Sequence, residues 1–253
     1  MSKVYVMLPC YNEEENITPL VEKWLSVSDE YLNNQYEFLI HCIDDKSQDQ
    51  TLSKIVALTE KYAGRVFLIA HHQNKGLGGA LETAFSTFVE RAIFGDLCVL
   101  MDGDNTHDPK YFISMLEHIR KGSDVVIASR YRKGSKIYGV NALRQLLSIG
   151  ARLYYSMILR VPGVRDYTCG YRTYTYKVLS DAYRRFGTPL VTRRSFACMM
   201  EALYKLSLVG AKFSEVPFEL RYDHKLGESK MRIARTTKDS LKTAIELRRE
   251  NKK

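Results

Sequence analysis

The chain alternates short apolar runs with longer segments whose apolar residues recur every three or four positions. Lys3–Leu8 is a compact apolar run containing Val4 and Val6, and it reads as a strand. Helical periodicity follows from about Glu14 to Val27. Tyr36–Ile43 is a second strand that ends at Asp44-Asp45, and Asp49–Tyr62 reads as a helix opened by an Asp cap. Arg65–Ala70 is a third strand. Leu77–Ala92 is a helix with apolar Ala80, Leu81, Ala84, Phe85, Phe88 and Val89. Asp96–Met101, Tyr111–Arg120 and Asp124–Ala128 continue the pattern as strand, helix and strand.

Strands that alternate with amphipathic helices predict an α/β fold: a mostly parallel central sheet with helices on both faces. Ligands of such sheets bind beyond the carboxyl ends of the strands. Beyond Ala128 the pattern is less regular. Val140–Leu159 reads as a helix interrupted by Arg144 and Arg152, Lys177–Phe186 and Ser195–Val209 as helices, and Ala211–Leu220 as a strand. Thr236–Arg249 sets Leu241, Ala244, Ile245 and Leu247 among Lys and Arg, which makes a basic amphipathic helix. No Pro-, Gly- or Ser-rich linker marks a boundary.

Composition narrows the class. Of 253 residues, 45% are hydrophobic, enough for a packed core. No run of eighteen apolar residues occurs, so no single helix is expected to span a bilayer. The N-terminus places three glutamates directly after a few apolar residues, unlike a signal peptide. Five scattered cysteines without CxxC spacing argue against structural zinc and against a disulfide framework, and fit a reducing cytoplasmic compartment.

The net charge of +9 invites an anionic partner, and its distribution says more than its total. Residues 1–127 carry net −8, residues 128–185 net +10, residues 186–220 net +1 and residues 221–253 net +6. A nucleic-acid partner is suggested by charge alone, with no recognition motif or basic–aromatic platform behind it.

The candidate chemistry falls just after the strands. Asp102-Gly103-Asp104 follows the fourth strand, where two carboxylates one residue apart can reach a hard divalent cation. A surface turn uses the same residue types. Asp44-Asp45 ends the second strand, where an acidic residue can accept from ribose hydroxyls or base N–H groups, or cap a helix. Asn74-Lys75-Gly76-Leu77-Gly78-Gly79-Ala80 follows the third strand. Its glycines suit either close approach to a phosphate or a tight helix start, and the string matches neither the GxGxxG fingerprint nor a Walker A loop.

Together these strings resemble family 2 glycosyltransferases of the GT-A fold. The residues concerned are Pro9-Cys-Tyr11-Asn12-Glu13, Asp44-Asp45-x-Ser47-x-Asp49-x-Thr51, Asn74-x-Gly76 and Asp102-x-Asp104-x-x-His107. Ala128-Ser129-Arg130-Tyr131, Asp166-Tyr-Thr-Cys-Gly170-Tyr171-Arg172 and Gly227-Glu-Ser229-Lys230 resemble the polyprenyl-phosphate branch, which includes the dolichol-phosphate mannosyltransferases. The similarity runs over about residues 3–232, which the resemblance makes a GT-A catalytic domain; residues 233–253 would be a basic helix for membrane or partner docking.

The resemblance implies a nucleotide-sugar donor held by Pro9, Tyr11, Glu13, Ile43, Asp45, Asp102, Gly103, Asp104, Arg221 and Lys230. It implies Mg²⁺ or Mn²⁺ on Asp102 and Asp104, and an acceptor phosphate on Arg130, Arg144 and Ser148. Asp104, Arg130, Asp166 and Lys230 would form the catalytic set. The chain departs from the branch at Thr106, where Gln is usual, and at His107-Asp108-Pro109 in place of His-Pro-Pro.

Inverting transfer needs in-line attack by the acceptor. A hydroxyl acceptor needs a carboxylate base, for which Asp166 and Glu201 are the candidates. A lipid phosphate is already anionic and needs orientation and charge compensation instead. The basic 128–185 segment favours a polyprenyl phosphate acceptor. Leu146, Leu147, Ile149, Leu153, Tyr154, Met157 and Ile158 would then face the lipid, or equally pack a core. The expected setting is peripheral, on the cytoplasmic face of an anionic membrane or against a small membrane subunit, without nucleic acid. The alternatives are a saccharide or protein hydroxyl acceptor, and an inactive nucleotide-sugar-binding partner.

Overall fold

The structure, a computed structural model, describes residues 1–31, 35–140, 142–221 and 233–250, and their side chains except at 31, 142–145 and 233–240. In chain order the elements are β1 (Ser2–Cys10), α1 (Ile17–Tyr31), β2 (Tyr36–Asp44), α2 (Thr51–Lys61), β3 (Val66–Ala70), α3 (Gly76–Arg91), β4 (Leu97–Leu100), a 3-10 turn (Pro109–Tyr111) and α4 (Phe112–Arg120). They continue as β5 (Val125–Ser129), β6 (Lys136–Tyr138), α5 (Ala142–Leu159), β7 (Arg172–Thr175), α6 (Tyr176–Phe186), α7 (Cys198–Leu208), β8 (Phe213–Pro217), β9 (Glu219–Arg221) and α8 (Ile233–Glu250).

Seven strands form one sheet in the order β3-β2-β1-β4-β7-β5-β8. All neighbours run parallel except β7, which is antiparallel to both β4 and β5. The expected mostly parallel α/β architecture is therefore present. β1 and β4 lie centrally and are almost wholly buried, which explains why they read as unbroken apolar runs rather than alternating ones. Trp24 of α1 anchors an aromatic cluster with Phe38, Phe112 and Tyr171.

β7 was invisible to hydropathy because three of its four residues, Arg172, Thr173 and Thr175, are polar. Arg172 is fully buried there, with Nη1 donating to the Met199 carbonyl at 2.8 Å and Nη2 to the Tyr167 carbonyl at 2.9 Å. The single strand expected over Ala211–Leu220 is divided at Phe218. Pro217 closes β8, and the chain then crosses to pair β9 with β6 in a separate two-stranded sheet. Helix α8 packs on α5 and α7, burying Ala244 and Leu247, and Tyr154 of α5 donates to the Leu241 carbonyl at 3.1 Å.

Candidate active site

The carboxyl ends of β1, β2 and β4 are stitched together by backbone bonds, from Asp45 N–H to the Cys10 carbonyl at 2.9 Å and from Gly103 N–H to the Pro9 carbonyl at 3.2 Å. Pro9 is part of β1, not beyond it as the sequence suggested. Tyr11, Glu13, Ile43, Asp45 and the Asp102–Asp104 turn are thereby brought to one edge. Glu13 is buried, accepting from Asn16 Nδ2 at 2.8 Å, and its backbone N–H donates to Thr51 Oγ1 at 2.7 Å. Asn12 and Lys46 take left-handed backbone conformations at the two turns, with Asn12 N–H bonded to Ser47 Oγ.

Asp45 organises the glycine-rich segment. Its Oδ1 accepts Lys75 N–H at 2.8 Å and lies 2.7 Å from His71 Nδ1, and its Oδ2 accepts Gly76 N–H at 2.8 Å. The carboxylate thus caps the start of α3, where N–H groups lack helical partners. The cap that opens α2 comes from Asp49, whose Oδ1 accepts Thr51 N–H at 3.0 Å. His71 carried no sequence signal, because its role depends on β3 ending beside β2.

The Asp102–Asp104 turn is sterically specified. A Cβ on Gly103 would lie 2.9 Å from both Cys10 Sγ and the Pro9 carbonyl oxygen, so this position excludes a side chain. The Asp102 carboxylate is packed against Gly170, where an added Cβ would meet Oδ1 at 2.7 Å. Asp104 Oδ1 accepts from Thr106 Oγ1 at 2.7 Å and from Thr106 N–H at 3.2 Å. Both aspartates are half-buried. Among the described residues no cluster of three or more His, Cys, Asp and Glu is poised to hold a metal. Two half-buried carboxylates suit a hard cation that keeps positions for water and substrate phosphate, as Mg²⁺ and Mn²⁺ do. The donor set fits that ion. Thr106, which stands where a Gln ligand is usual, braces Asp104.

On the basic side, Arg130 follows β5 and meets Asp166 in a buried bidentate pair. Nε donates to Oδ2 at 2.8 Å and Nη2 to Oδ1 at 2.6 Å, with Arg130 N–H also on Oδ2 at 3.0 Å. Nη2 reaches Thr168 Oγ1 at 2.6 Å as well. These contacts leave Nη1 for a ligand. Burial opposes the charge on Asp166, but the Arg130 guanidinium and the bonds from Arg130 and Thr168 hold its carboxyl below the usual range.

Glu215 of β8 supports the pair. It accepts the N–H groups of Arg165 and Asp166 at 2.6 and 2.8 Å, and it pairs with Arg132 at 2.9 Å. Segment 166–170 then links the two halves of the site: Cys169 N–H bonds Asp166 Oδ1 at 3.0 Å, and Gly170 backs Asp102. Nothing in the local sequence of β8 marks Glu215, since its partners come from two remote loops.

Ser148 is placed near Arg130 through Tyr131, whose hydroxyl lies 2.6 Å from Ser148 Oγ, while Arg152 stacks over the Tyr131 ring at 4.9 Å. Arg221 N–H bonds the Thr106 carbonyl at 3.1 Å, and its guanidinium lies 4.5 Å over the Tyr138 ring, beside the aspartate turn. His107 is buried, stacked on Phe218 at 5.3 Å. Arg144 has its backbone in α5 and its side chain outside the described residues; Lys230 lies outside them altogether.

Glu201, the other candidate base, is buried in α7. It accepts from Thr192 N–H, Arg193 N–H, Thr192 Oγ1 and Lys205 Nζ at 2.7–2.9 Å. Burial raises its carboxyl, but these donors outweigh burial and keep it below the usual value.

The family model described as "Glycosyl transferase family 2" matches residues 5–183. A dolichol-phosphate mannosyltransferase of Pyrococcus furiosus is 31% identical over 231 residues, covering 91% of this chain and 59% of that protein. The chain therefore spans about three-fifths of that relative's length. A polyprenol monophosphomannose synthase of Mycolicibacterium smegmatis is 28% identical over 229 residues, covering 90% of this chain and 81% of that protein. Among solved structures, glucosyl-3-phosphoglycerate synthase from Mycobacterium tuberculosis in complex with Mn²⁺ and UDP-glucose aligns with a TM-score of 0.67 at 14% identity, covering 97% of this chain and 78% of that one. That likeness is one of fold.

Proposed function

For a chain that belongs to glycosyl transferase family 2, we propose inverting transfer of a hexose from a UDP- or GDP-sugar to a polyprenyl phosphate at a membrane surface. The names of the two mannosyl-transferring relatives support the acceptor class. The observation that carries the reading is the saturation of both candidate bases: Asp166 is committed to Arg130 and backbone N–H groups, Glu201 to the Thr192–Arg193 loop and Lys205. Neither is placed to deprotonate a hydroxyl. A phosphate monoester has no such need.

In this reading an acceptor phosphate oxygen attacks the anomeric carbon, the bond from that carbon to the nucleoside diphosphate oxygen breaks, and the electron pair leaves with the diphosphate. Arg130 orients the acceptor through Nη1, with Asp166 fixing the plane of its guanidinium. Ser148 and Arg144 of α5 complete the acceptor side. Pro9, Tyr11, Glu13, Ile43, Asp45 and Gly103 line the nucleoside side, with Arg221 and Lys230 on donor or acceptor phosphates. Asp102 and Asp104 would hold Mg²⁺ or Mn²⁺, which supplies positive charge against the leaving diphosphate when bound.

The decisive experiment incubates the protein with Mg²⁺ or Mn²⁺ and a panel of UDP- and GDP-sugars, with and without short polyprenyl phosphate. Nucleotide release that depends on the lipid phosphate is expected. Release driven by saccharide hydroxyls, or donor binding without any release, overturns the proposal. The kcat/KM for the acceptor is expected to rise through about pH 6, with the second ionisation of a phosphate monoester, and then to level.

The membrane setting has its own support. No helix among the described residues is long and apolar enough to cross a bilayer. Helix α5 instead exposes Leu146, Leu147, Ile149, Leu153 and Met157. Its end forms, with α8, a cleft of about 330 Å³ lined by Met157, Ile158, Ile245, Arg160, Arg248 and Arg249. Apolar side chains beside arginines that, among the described residues, have no carboxylate partner suit an anionic bilayer surface. Leu146→Asp with Leu153→Asp is expected to abolish cosedimentation with anionic phospholipid vesicles. Transfer to a short, water-soluble acceptor should survive. Undiminished vesicle binding by the variant would take the lipid contact away from α5, and a wild-type protein that binds no vesicles would favour a small membrane subunit as the docking partner.

A further inference from the structure

Arg193 stands at a junction between the C-terminal helix and the donor side of the site. Its Nη1 pairs with Glu246 at 3.1 Å and its Nη2 with Glu250 at 3.0 Å, two carboxylates one helical turn apart on α8. The Arg193 backbone forms part of the Thr192–Arg194 loop, which Glu201 grips from α7. That loop lies directly against the glycine-rich segment. A Cβ on Gly78 would fall 1.8 Å from the Arg193 carbonyl oxygen, so the two backbones touch. Gly78 N–H donates to the Arg194 carbonyl at 3.1 Å, and the Arg194 guanidinium donates to the carbonyls of Lys75 and Asn74 at 3.3 and 3.0 Å. Lys75 and Gly76 then grip Asp45 through their N–H groups. Side chains and backbone contacts thus run without a break from α8 to Asp45.

The clamp is poorly explained as a device for stability. Its three side chains are partly exposed, between 31% and 58%, and ion pairs of that kind add little to folding. The buried Arg193 Nε finds no hydrogen-bond partner, which works against stability. What the fork of two amino groups on two carboxylates does supply is a fixed position for the loop relative to α8.

We infer that Arg193 is a positioning residue that couples the seating of α8 to the geometry of the donor pocket. With α8 seated, the 192–194 loop holds Gly76–Gly79 and Asp45 in the donor-binding arrangement. With α8 displaced, the same segment loosens and donor affinity falls. A helix suited to docking on a membrane or partner would then report its seating to the nucleotide pocket. The inference rests on the donor reading of Asp45 given above.

The test compares the full-length protein with Arg193→Gln, Glu246→Gln/Glu250→Gln and the charge-swapped Arg193→Glu/Glu246→Arg/Glu250→Arg. Amide hydrogen exchange over residues 74–80 is the first readout. Calorimetric titration with UDP and with GDP, each in the presence of Mn²⁺, is the second. The two clamp-breaking variants are expected to exchange faster at Lys75, Gly76 and Gly78 and to bind the nucleotide about threefold to tenfold more weakly. The acceptor KM and the thermal midpoint should stay near wild type, and the charge swap should restore both readouts. Unchanged exchange over 74–80 in the clamp-breaking variants overturns the inference, as does a charge swap no better than either. A wild-type protein that binds neither nucleotide would overturn the donor reading alone, because the exchange measurement still decides whether Arg193 positions the segment.

Discussion

Asp166→Ala is expected to destabilise the protein by about 3–5 kcal/mol and to weaken transfer chiefly through the acceptor. Asp166 is fully buried and accepts hydrogen bonds from Arg130, Thr168 and Cys169, including the two guanidinium bonds at 2.6 and 2.8 Å. Removing it strands a guanidinium whose side chain is only 16% exposed and frees the turn that backs Asp102. Urea unfolding measures the first effect. A double-mutant cycle with Arg130→Ala should show strong coupling, the pair being less costly to lose together than its separate losses predict. Because the folded carboxyl lies below its ordinary value, the pair's contribution is intact at neutral pH and is lost only as pH falls through that lowered value. In steady-state kinetics, Arg130→Ala should raise the KM for lipid phosphate more than that for the donor. A stable Asp166→Ala protein with donor binding intact and turnover lost at saturating acceptor would instead make Asp166 a general base.

The same residue shows what the sequence discloses and what it withholds. Asp166 was legible as a site residue through the Asp166-Tyr-Thr-Cys-Gly170-Tyr171-Arg172 string that carries the resemblance to the polyprenyl-phosphate branch. Its pairing with Arg130 was not, because the two lie 36 positions apart and meet only in the folded sheet. Strand β7 was itself hidden: Arg172 and Thr173 are polar yet fully buried, and the carbonyls that bond the Arg172 Nη1 and Nη2 groups belong to α7 and to the loop before β7. Hydropathy reads a residue's own character and misses neighbours that neutralise it.

Strands β1 to β5 were readable for the converse reason. They are rich in apolar residues, all but the edge strand β3 are buried between neighbours, and β1 to β4 are each followed by a helix with its own periodicity. The chemistry after them was readable as residue type and position. Its division of labour was open, as with Asp45, where ligand contact and helix capping competed. The structure shows Asp45 capping α3 and not the adjacent α2.

Asp104→Ala is expected to abolish metal-stimulated nucleotide binding and to lower kcat/KM by about 10²- to 10³-fold or more. The two carboxylates of the turn arrive by different routes. Asp102 is wedged against Gly170, whereas Asp104 is held by the hydroxyl and N–H of Thr106. In the proposed reading, losing Asp104 leaves the cation only the Asp102 carboxylate. Losing only the brace should be milder: Thr106→Val is expected to weaken Mn²⁺ affinity by about 10- to 100-fold while leaving the ligands in place. Excess Mn²⁺ should then rescue Thr106→Val and leave Asp104→Ala inactive. Asp108→Ala removes a carboxylate that accepts from Lys110 N–H and pairs with Lys110 Nζ in its own turn, and should keep wild-type Mn²⁺-dependent nucleotide binding. Nucleotide binding followed by calorimetry with and without Mn²⁺ separates the three variants. Near-wild-type, Mn²⁺-dependent binding by Asp104→Ala would remove the metal from this turn and leave Asp104 an anchor for the Thr106 loop, to which Arg221 N–H is bonded.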